Sequence, residues 1–248
     1  MADEVELRRD GNVAVLALNA PARRNALTVA MAQRMAELCD QIDADPEIGA
    51  VVVYGEGGYF CAGGDRGALS AAGRDPATPE SFTGMGTIYN AFARVGTLEP
   101  PTVAAVTGGA VGAGMNLLLA TDLRIVATDA RLLSGFGPIG FHPGGGHLGL
   151  LASRGSRELA AALGLFGQRI DGREAVERGV AWAAVEPDDV LSTALELART
   201  PAKDPALARL TTRSFRLTVG PPALPWPAAL EIERPAQMWS MRRRALED

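Results

Sequence analysis

The sequence predicts an α/β fold, and three observations carry that expectation. A continuous apolar run lies at residues 50–54, and predominantly apolar stretches recur at Thr102–Val106 and, interrupted by Arg124, at Leu123–Ala127. Glycine-rich turns follow the first two. Stretches with apolar residues three and four apart, the period of a helix with one buried face, lie between and after them. Runs too apolar to face water on either side belong inside a sheet covered by helices.

Taken in order, strands are expected at residues 5–8 and Val13–Leu18. Thr28 has the side chain of an N-cap for a helix to about residue 43, with Met31, Met35, Leu38 and Ile42 on one stripe. The buried strand at 50–54 runs into a glycine-rich loop at 55–67. The small, polar, proline-containing stretch 66–80 reads as a mobile loop. Ser81 reads as the cap of a second helix to about residue 95, with Phe82, Met85, Tyr89 and Phe92 on one side. Thr102–Val106 passes through Gly108-Gly109-Ala110-Val111-Gly112 into a helix at Ala113–Ala120, and Leu123–Ala127 is the next strand. Asp171 with Glu174 forms a capping box, and Gly179 is the matching C-terminal stop. From about Pro187 the pattern is helical only, with Arg242, Arg243 and Arg244 on the last helix. The domain expectation is a core over 1–190 and a helical C-terminal region over 191–248.

The chain has 248 residues, 47% of them hydrophobic, which suits one large domain with a sizeable core. A net charge of −5 disfavours a nucleic-acid surface, which needs clustered positive charge. No apolar run approaches the roughly 20 residues that span a bilayer. The N-terminal Met-Ala-Asp-Glu lacks the layout of a signal peptide. The two cysteines, Cys39 and Cys61, read as free thiols, so a cytoplasmic location is expected. Lys203 is the only lysine, which excludes a phosphate loop ending in Gly-Lys-Ser/Thr. Lys203 also lies in a polar stretch unsuited to Schiff-base chemistry.

Two strand ends carry clustered glycines: Cys61-Ala62-Gly63-Gly64-Asp65, and residues 108–114. Glycine lets the backbone aim N–H groups away from a sheet and lets a ligand approach closely. The second cluster opens into a helix, whose first N–H groups lack intrahelical partners. Two such N–H groups on one oxygen make an oxyanion hole; tight turns alone are the plainer reading.

Ala22-Arg23-Arg24-Asn25-Ala26-Leu27 and Phe60-Cys61-Ala62-Gly63-Gly64-Asp65 resemble two signatures of the crotonase, or enoyl-CoA hydratase/isomerase, family. The stretch 100–108 with 112–116 resembles a third, and residues 123–127 and Pro143-Gly144-Gly145-Gly146 continue the match across almost the whole chain. The resemblance implies a crotonase-like spiral of ββα units with a C-terminal helical oligomerisation region that builds trimers, often hexamers. It implies an acyl-CoA thioester as the ligand, coenzyme A entering as part of the substrate and no separate cofactor. The oxyanion hole carries over to the N–H groups of Gly64 and Ala113. Arg23, Arg24 and Ala26 match the stretch contacting the nucleotide and pantetheine parts of coenzyme A. Ala62 and Gly63 match the wall beside the thioester, followed by Asp65, an acid that looks structural in the family.

The resemblance breaks where hydration chemistry would need acids. The two glutamates of the family's hydratases would fall at Asn116 and Phe136. An amide orients water but takes no proton at neutral pH, and Phe136 makes its wall apolar. No Asp or Glu occurs between Asp129 and Glu158. The remaining candidates are His142 and His147, the only histidines; His142 is carried with Asn116 as the candidate for positioning water or a proton, the plainer reading being a loop histidine hydrogen-bonded to backbone. Two imidazoles without a nearby carboxylate or thiolate make a poor metal site, so no metal is expected. Ser134 can carry a proton only with a base beside it. Asp122 reads as a structural contact and Cys61 as packing. The expected function is stabilisation of a thioester enolate by Gly64 and Ala113, with the acyl chain along the helix at 81–95. The alternative is an acyl-CoA binding protein on the same scaffold. A nicotinamide oxidoreductase, prompted by the Gly-x-Gly-x-x-Gly spelling at 135–140, is disfavoured because Pro138 and Pro143 interrupt the helix it needs.

Overall fold

The computed structural model describes residues 3–220 and 222–247. Strands β1 (Val5–Asp10) and β2 (Val13–Leu18) form a hairpin, and β2 then pairs in parallel with β3 (Ala50–Gly55). The main sheet continues with β4 (Thr102–Val106), β6 (Leu123–Ala127) and β9 (Ala183–Val185), all parallel, giving the order β1-β2-β3-β4-β6-β9. A second sheet holds β5 (Gly109–Val111), β7 (Arg131–Leu133) and β8 (Arg169–Ile170). All six residues of β2 and all five of β4 are buried, as a strand covered on both faces requires.

One unit repeats. A strand enters the main sheet, a short strand enters the second sheet, and a helix returns. β4, β5 and helix α4 (Ala113–Ala120) form one such unit; β6, β7 and helix α5 (His147–Arg154) form the next. The unit beginning with β3 has only a single bridge in place of its short strand, Cys61 to Ala110, before helix α2 (Arg66–Arg74). The repetition brings the turns before α2 and α4 side by side.

Helix α1 (Val29–Ala44) starts where expected, the Thr28 hydroxyl accepting from Met31 N at 3.1 Å. The mobile loop expected at 66–80 is instead mostly helix α2. Asp65 caps it, Oδ1 accepting from Ala68 N at 3.0 Å, and the alanines and Leu69 that follow favour helix over loop. The next helix, α3 (Pro79–Thr97), is capped by Thr78 rather than Ser81. Proline suits the first helical position, and it holds the residue before it extended, as Thr78 is at ψ 146°. Of the expected stripe on α3, Phe92 is buried while Phe82 and Tyr89 are exposed.

Helices α6 (Arg157–Gly164) and α7 (Gly172–Glu177) follow, the latter with both bonds of the Asp171/Glu174 capping box. Helix α8 (Val190–Ala202) lies on the main sheet through Val190, Ala194, Ala198 and Ala202, so the first helix beyond residue 190 belongs to the core layer. Helices α9 (Pro205–Val219) and α10 (Trp226–Glu247) complete the chain. Asp122 is the structural contact expected. It accepts from Thr102 N and Oγ1, both at 2.9 Å, and from Arg216 at 2.6 Å, tying α9 to the edge of β4. Among the described residues no helix is long and apolar enough to cross a membrane.

Candidate active site

The turns before α2 and α4 lie side by side and both line a cavity of about 880 Å³. Gly63 has φ 100°, and a Cβ there would lie 2.8 Å from the Val111 carbonyl oxygen and 3.8 Å from Ala113 N. Glycine is thus what lets the two turns meet. Leu27 holds the first turn on both sides: its N–H donates to Gly63 O at 2.7 Å and its carbonyl accepts from Asp65 N at 2.9 Å. The N–H of Gly64 lies between these two bonds, and no protein acceptor among the described residues takes it. In the second turn, Gly112 has φ 54° and Ala113 is the first residue of α4, so its N–H likewise has no intrahelical acceptor. A Cβ at Gly114 would fall 2.2 Å from Cys61 O, so the second turn also seats directly on the first.

The mouth of the cavity is built on residues 20–27. Asn25 is fully buried, accepting from Ala20 N at 2.7 Å and donating to Tyr59 O at 2.6 Å and Glu56 O at 3.0 Å. These bonds hold Arg24 and Asn25 in the left-handed region, at φ 53° and 56°, which non-glycine residues seldom occupy. Arg24 is thereby turned outward, its guanidinium 5.6 Å from the Tyr59 ring centroid, with no ion pair among the described residues. Arg23 is engaged by Glu4 at 2.5 Å, and that hydrogen-bonded pairing raises the arginine's pKa and lowers the glutamate's. On the far side, Leu69 of α2 and Met85, Ile88 and Tyr89 of α3 form an apolar wall.

Asn116, one turn into α4, is 1% exposed. Its Nδ2 donates to Gly144 O at 3.0 Å, and its Oδ1 meets His147 Nδ1 at 2.7 Å. The other imidazole nitrogen, Nε2, lies 2.6 Å from Ser134 Oγ. The ring packs edge-on against Phe136, centroids 5.0 Å apart. Burial pushes the His147 pKa down to about 4, so the imidazole is neutral over the physiological range.

Residues 8–238 match the family model for enoyl-CoA hydratase/isomerase. The chain belongs to the enoyl-CoA hydratase/isomerase family. It is 40% identical over 223 residues to the probable enoyl-CoA hydratase EchA14 of Mycobacterium tuberculosis, covering 90% of this chain and 85% of that one. It is 34% identical over 196 residues to the 1,2-epoxyphenylacetyl-CoA isomerase of Escherichia coli, covering 78% and 74%. Among solved structures, an enoyl-CoA hydratase from Polaromonas sp. JS666 superposes with a TM-score of 0.87 at 28% identity, covering 96% of this chain and 91% of that one. The fold is therefore the crotonase-like one.

In this member of the enoyl-CoA hydratase/isomerase family, the cavity brings together Arg23, Arg24, Ala26, Ala62, Gly63, Gly64, Asp65, Ala113, Asn116, Phe136 and His142. Asp65 is the one acidic residue among the described residues that line it, and its carboxylate caps α2. His142 is exposed, its Nδ1 on the carbonyl of the adjacent Pro143 at 2.7 Å. The histidine that contacts Asn116 is His147, while His142, the candidate carried from the sequence, is the backbone-bonded loop histidine of its plainer reading. Asn116 has its amide engaged by protein on both sides, by the Gly144 carbonyl and by His147. Ser134 does have a base beside it. Cys61 is buried, its thiol pushed up to about 12 by desolvation, which suits packing and not nucleophilic chemistry. The glycine spelling at 135–140 forms a short 3₁₀ turn, Gly137–Ile139, not the start of a helix. Among the described residues no three His, Cys, Asp or Glu side chains cluster closely enough to hold a metal ion.

Proposed function

We propose that this chain is an acyl-CoA or enoyl-CoA enzyme that polarises a thioester carbonyl with the N–H groups of Gly64 and Ala113 and so stabilises an enolate. The observation that carries the reading is the pair of unsatisfied backbone donors on one cavity, each held by glycine turns that a side chain would wedge apart. Such donors are aimed before the substrate arrives, so they strengthen as charge develops on the oxygen. The apolar wall of α2 and α3 suits an acyl chain. Arg24, exposed at the mouth and turned outward, suits the phosphate-bearing end of coenzyme A, while Arg23 first shapes the loop through Glu4. Coenzyme A enters as part of the substrate, with no further cofactor. The EchA14 and epoxyphenylacetyl-CoA isomerase relatives support the substrate class.

A homo-oligomer, trimer or hexamer, belongs to the same reading, supported by the exposed Trp226, Met238, Trp239 and Met241 of α10. One observation favours a second reading, an acyl-CoA binding protein: the single carboxylate among the described residues lining the cavity, Asp65, is engaged in capping α2. Incubation with a panel of saturated and unsaturated acyl-CoAs in heavy water, followed by mass spectrometry, separates the two. Hydration, double-bond migration or α-deuteration supports the enzyme. Saturable binding with none of these supports the binding protein.

A further inference from the structure

Ser134 and Asn116 line the cavity, and buried His147 behind them joins the two in a hydrogen-bonded chain that enolate stabilisation does not use. Its protons are fixed by its far end. Asn116 Nδ2 donates to Gly144 O at 3.0 Å and faces Gly145 O at 3.4 Å, which leaves Oδ1 to accept from His147. Nδ1 therefore carries the imidazole proton, and Nε2 presents its lone pair to the Ser134 hydroxyl at 2.6 Å. Hydroxyl, imidazole and orienting amide stand in the order of an activated nucleophile, its base and the group that fixes the base's tautomer. Amide-oriented variants of this arrangement serve in acyl transfer on other folds.

Ser134 is also well placed. It follows β7 directly, and the preceding Leu133 carbonyl accepts from Gly112 N at 3.3 Å. A Cβ on Gly112 would lie 3.5 Å from the Ser134 carbonyl oxygen. Gly112 immediately precedes Ala113, so serine and oxyanion donor stand on neighbouring strand ends of one sheet and line the same cavity. The neutral imidazole is set to accept the Ser134 hydroxyl proton at Nε2 and has no acidic proton to deliver before that transfer. That asymmetry fits a hydroxyl that must lose its proton on attack.

We propose that Ser134 is a nucleophile toward the acyl thioester, with His147 as its general base and Asn116 as a positioning residue, giving the chain a thioester hydrolase activity. This rests on the thioester binding proposed above. Ser134 Oγ bonds to the carbonyl carbon as its proton passes to His147 Nε2, and the carbonyl electron pair moves to the oxygen held by Gly64 and Ala113. Collapse breaks the C–S bond; the departing thiolate takes the proton from His147 and leaves as coenzyme A thiol. Water, deprotonated by His147, then attacks the Ser134 ester, and the acid departs as the serine regains its proton. The sum is thioester plus water giving carboxylic acid plus thiol. Phe136 against the ring keeps the base apolar on one side and neutral. An amide cannot stabilise the imidazolium as a carboxylate would, so turnover is slow and the ester persists long enough to trap.

The experiment uses the full chain with acetyl-CoA and butyryl-CoA, reading free thiol release and intact mass with peptide mapping. Affinity for a non-hydrolysable thioether analogue is measured in parallel. The expected result is thiol release with one acyl group on the peptide carrying Ser134. Both are lost in Ser134→Ala at unchanged analogue affinity, and thiol release returns in Ser134→Cys. His147→Gln lowers the release by roughly a hundredfold or more at unchanged analogue affinity, the scale of a lost general base. Thiol release equal in Ser134→Ala and the parent overturns the proposal. So does analogue binding with neither acylation nor thiol release, and so does α-deuteration that disappears in Ser134→Ala without thiol release. Absence of analogue binding sinks the thioester reading itself.

Discussion

His147 is 1% exposed and buried as the neutral imidazole. Its pKa, pushed to about 4 from an ordinary value near 6.5, means the unfolded chain binds a proton first as the pH falls. This group therefore removes stability progressively between about pH 6.5 and 4, and below that adds no further loss; over the whole window the loss is on the order of 3 kcal/mol. Urea unfolding at pH 7 and pH 4.5 checks this, with the parent losing more stability between the two than His147→Gln. Equal losses would contradict a buried neutral histidine. At the same scale, the roles of Asn25 and His147 were illegible in the sequence. Asn25 lies inside a motif that resemblance reads as a ligand contact, but its work is to fix three backbone groups. His142 and His147 look alike as letters; only the turn at 143–146 decides that the second points inward to Asn116 and the first outward. The glycines at 63, 64, 112 and 114 were legible, because two backbone turns in close approach leave their mark as missing side chains.

The elements were legible where one physical signal dominated. A continuous apolar run gave β3, predominantly apolar stretches gave β4 and β6, and Thr28 gave the start of α1. The misreading of α2 came from weighing small, polar composition above capping: Asp65 provides a cap just before the alanines. Because Asp65 holds the first turn of α2 at the cavity wall, Asp65→Ala should loosen that helix locally, by about 1 kcal/mol. Faster amide hydrogen exchange over 66–74, with exchange in β3 unchanged, is the expected readout; global destabilisation would mean Asp65 has a wider role. Gly64 and Gly114 separate binding from folding. A Cβ at Gly64 meets Leu69 side-chain atoms at 3.4–3.5 Å, an ordinary contact, whereas one at Gly114 meets Cys61 O at 2.2 Å. Gly114→Ala should destabilise the fold by on the order of 3 kcal/mol. Gly64→Ala should keep its melting temperature, and Gly64→Val, which places bulk beside the proposed carbonyl donor, should lose acyl-CoA affinity. Thermal melts beside calorimetric titration decide both.

At the scale of the molecule, the spiral places the two donor turns side by side because each ββα unit repeats at the same end of the main sheet. That arrangement was implied by family resemblance, not by periodicity, since hydrophobic pattern gives elements but not their stacking. The C-terminal helices are less self-contained. Arg243 pairs with Asp204 at the start of α9 and lies 4.7 Å from the Trp239 ring centroid, yet α10 exposes large apolar residues along its length. Light scattering should give a mass that is a multiple of the protomer, falling toward the protomer in Trp226→Glu; a monomeric parent would contradict the assignment of that face.

The central claim is that Gly64 and Ala113 N–H groups jointly polarise a thioester carbonyl. The most direct measurement is the difference infrared spectrum of a bound enoyl-CoA with its thioester carbonyl ¹³C-labelled. The account predicts a carbonyl stretch at lower frequency when bound than when free, as two donors draw electrons to the oxygen. A bound ligand whose carbonyl stretch matches that in water, or lies higher, would contradict it.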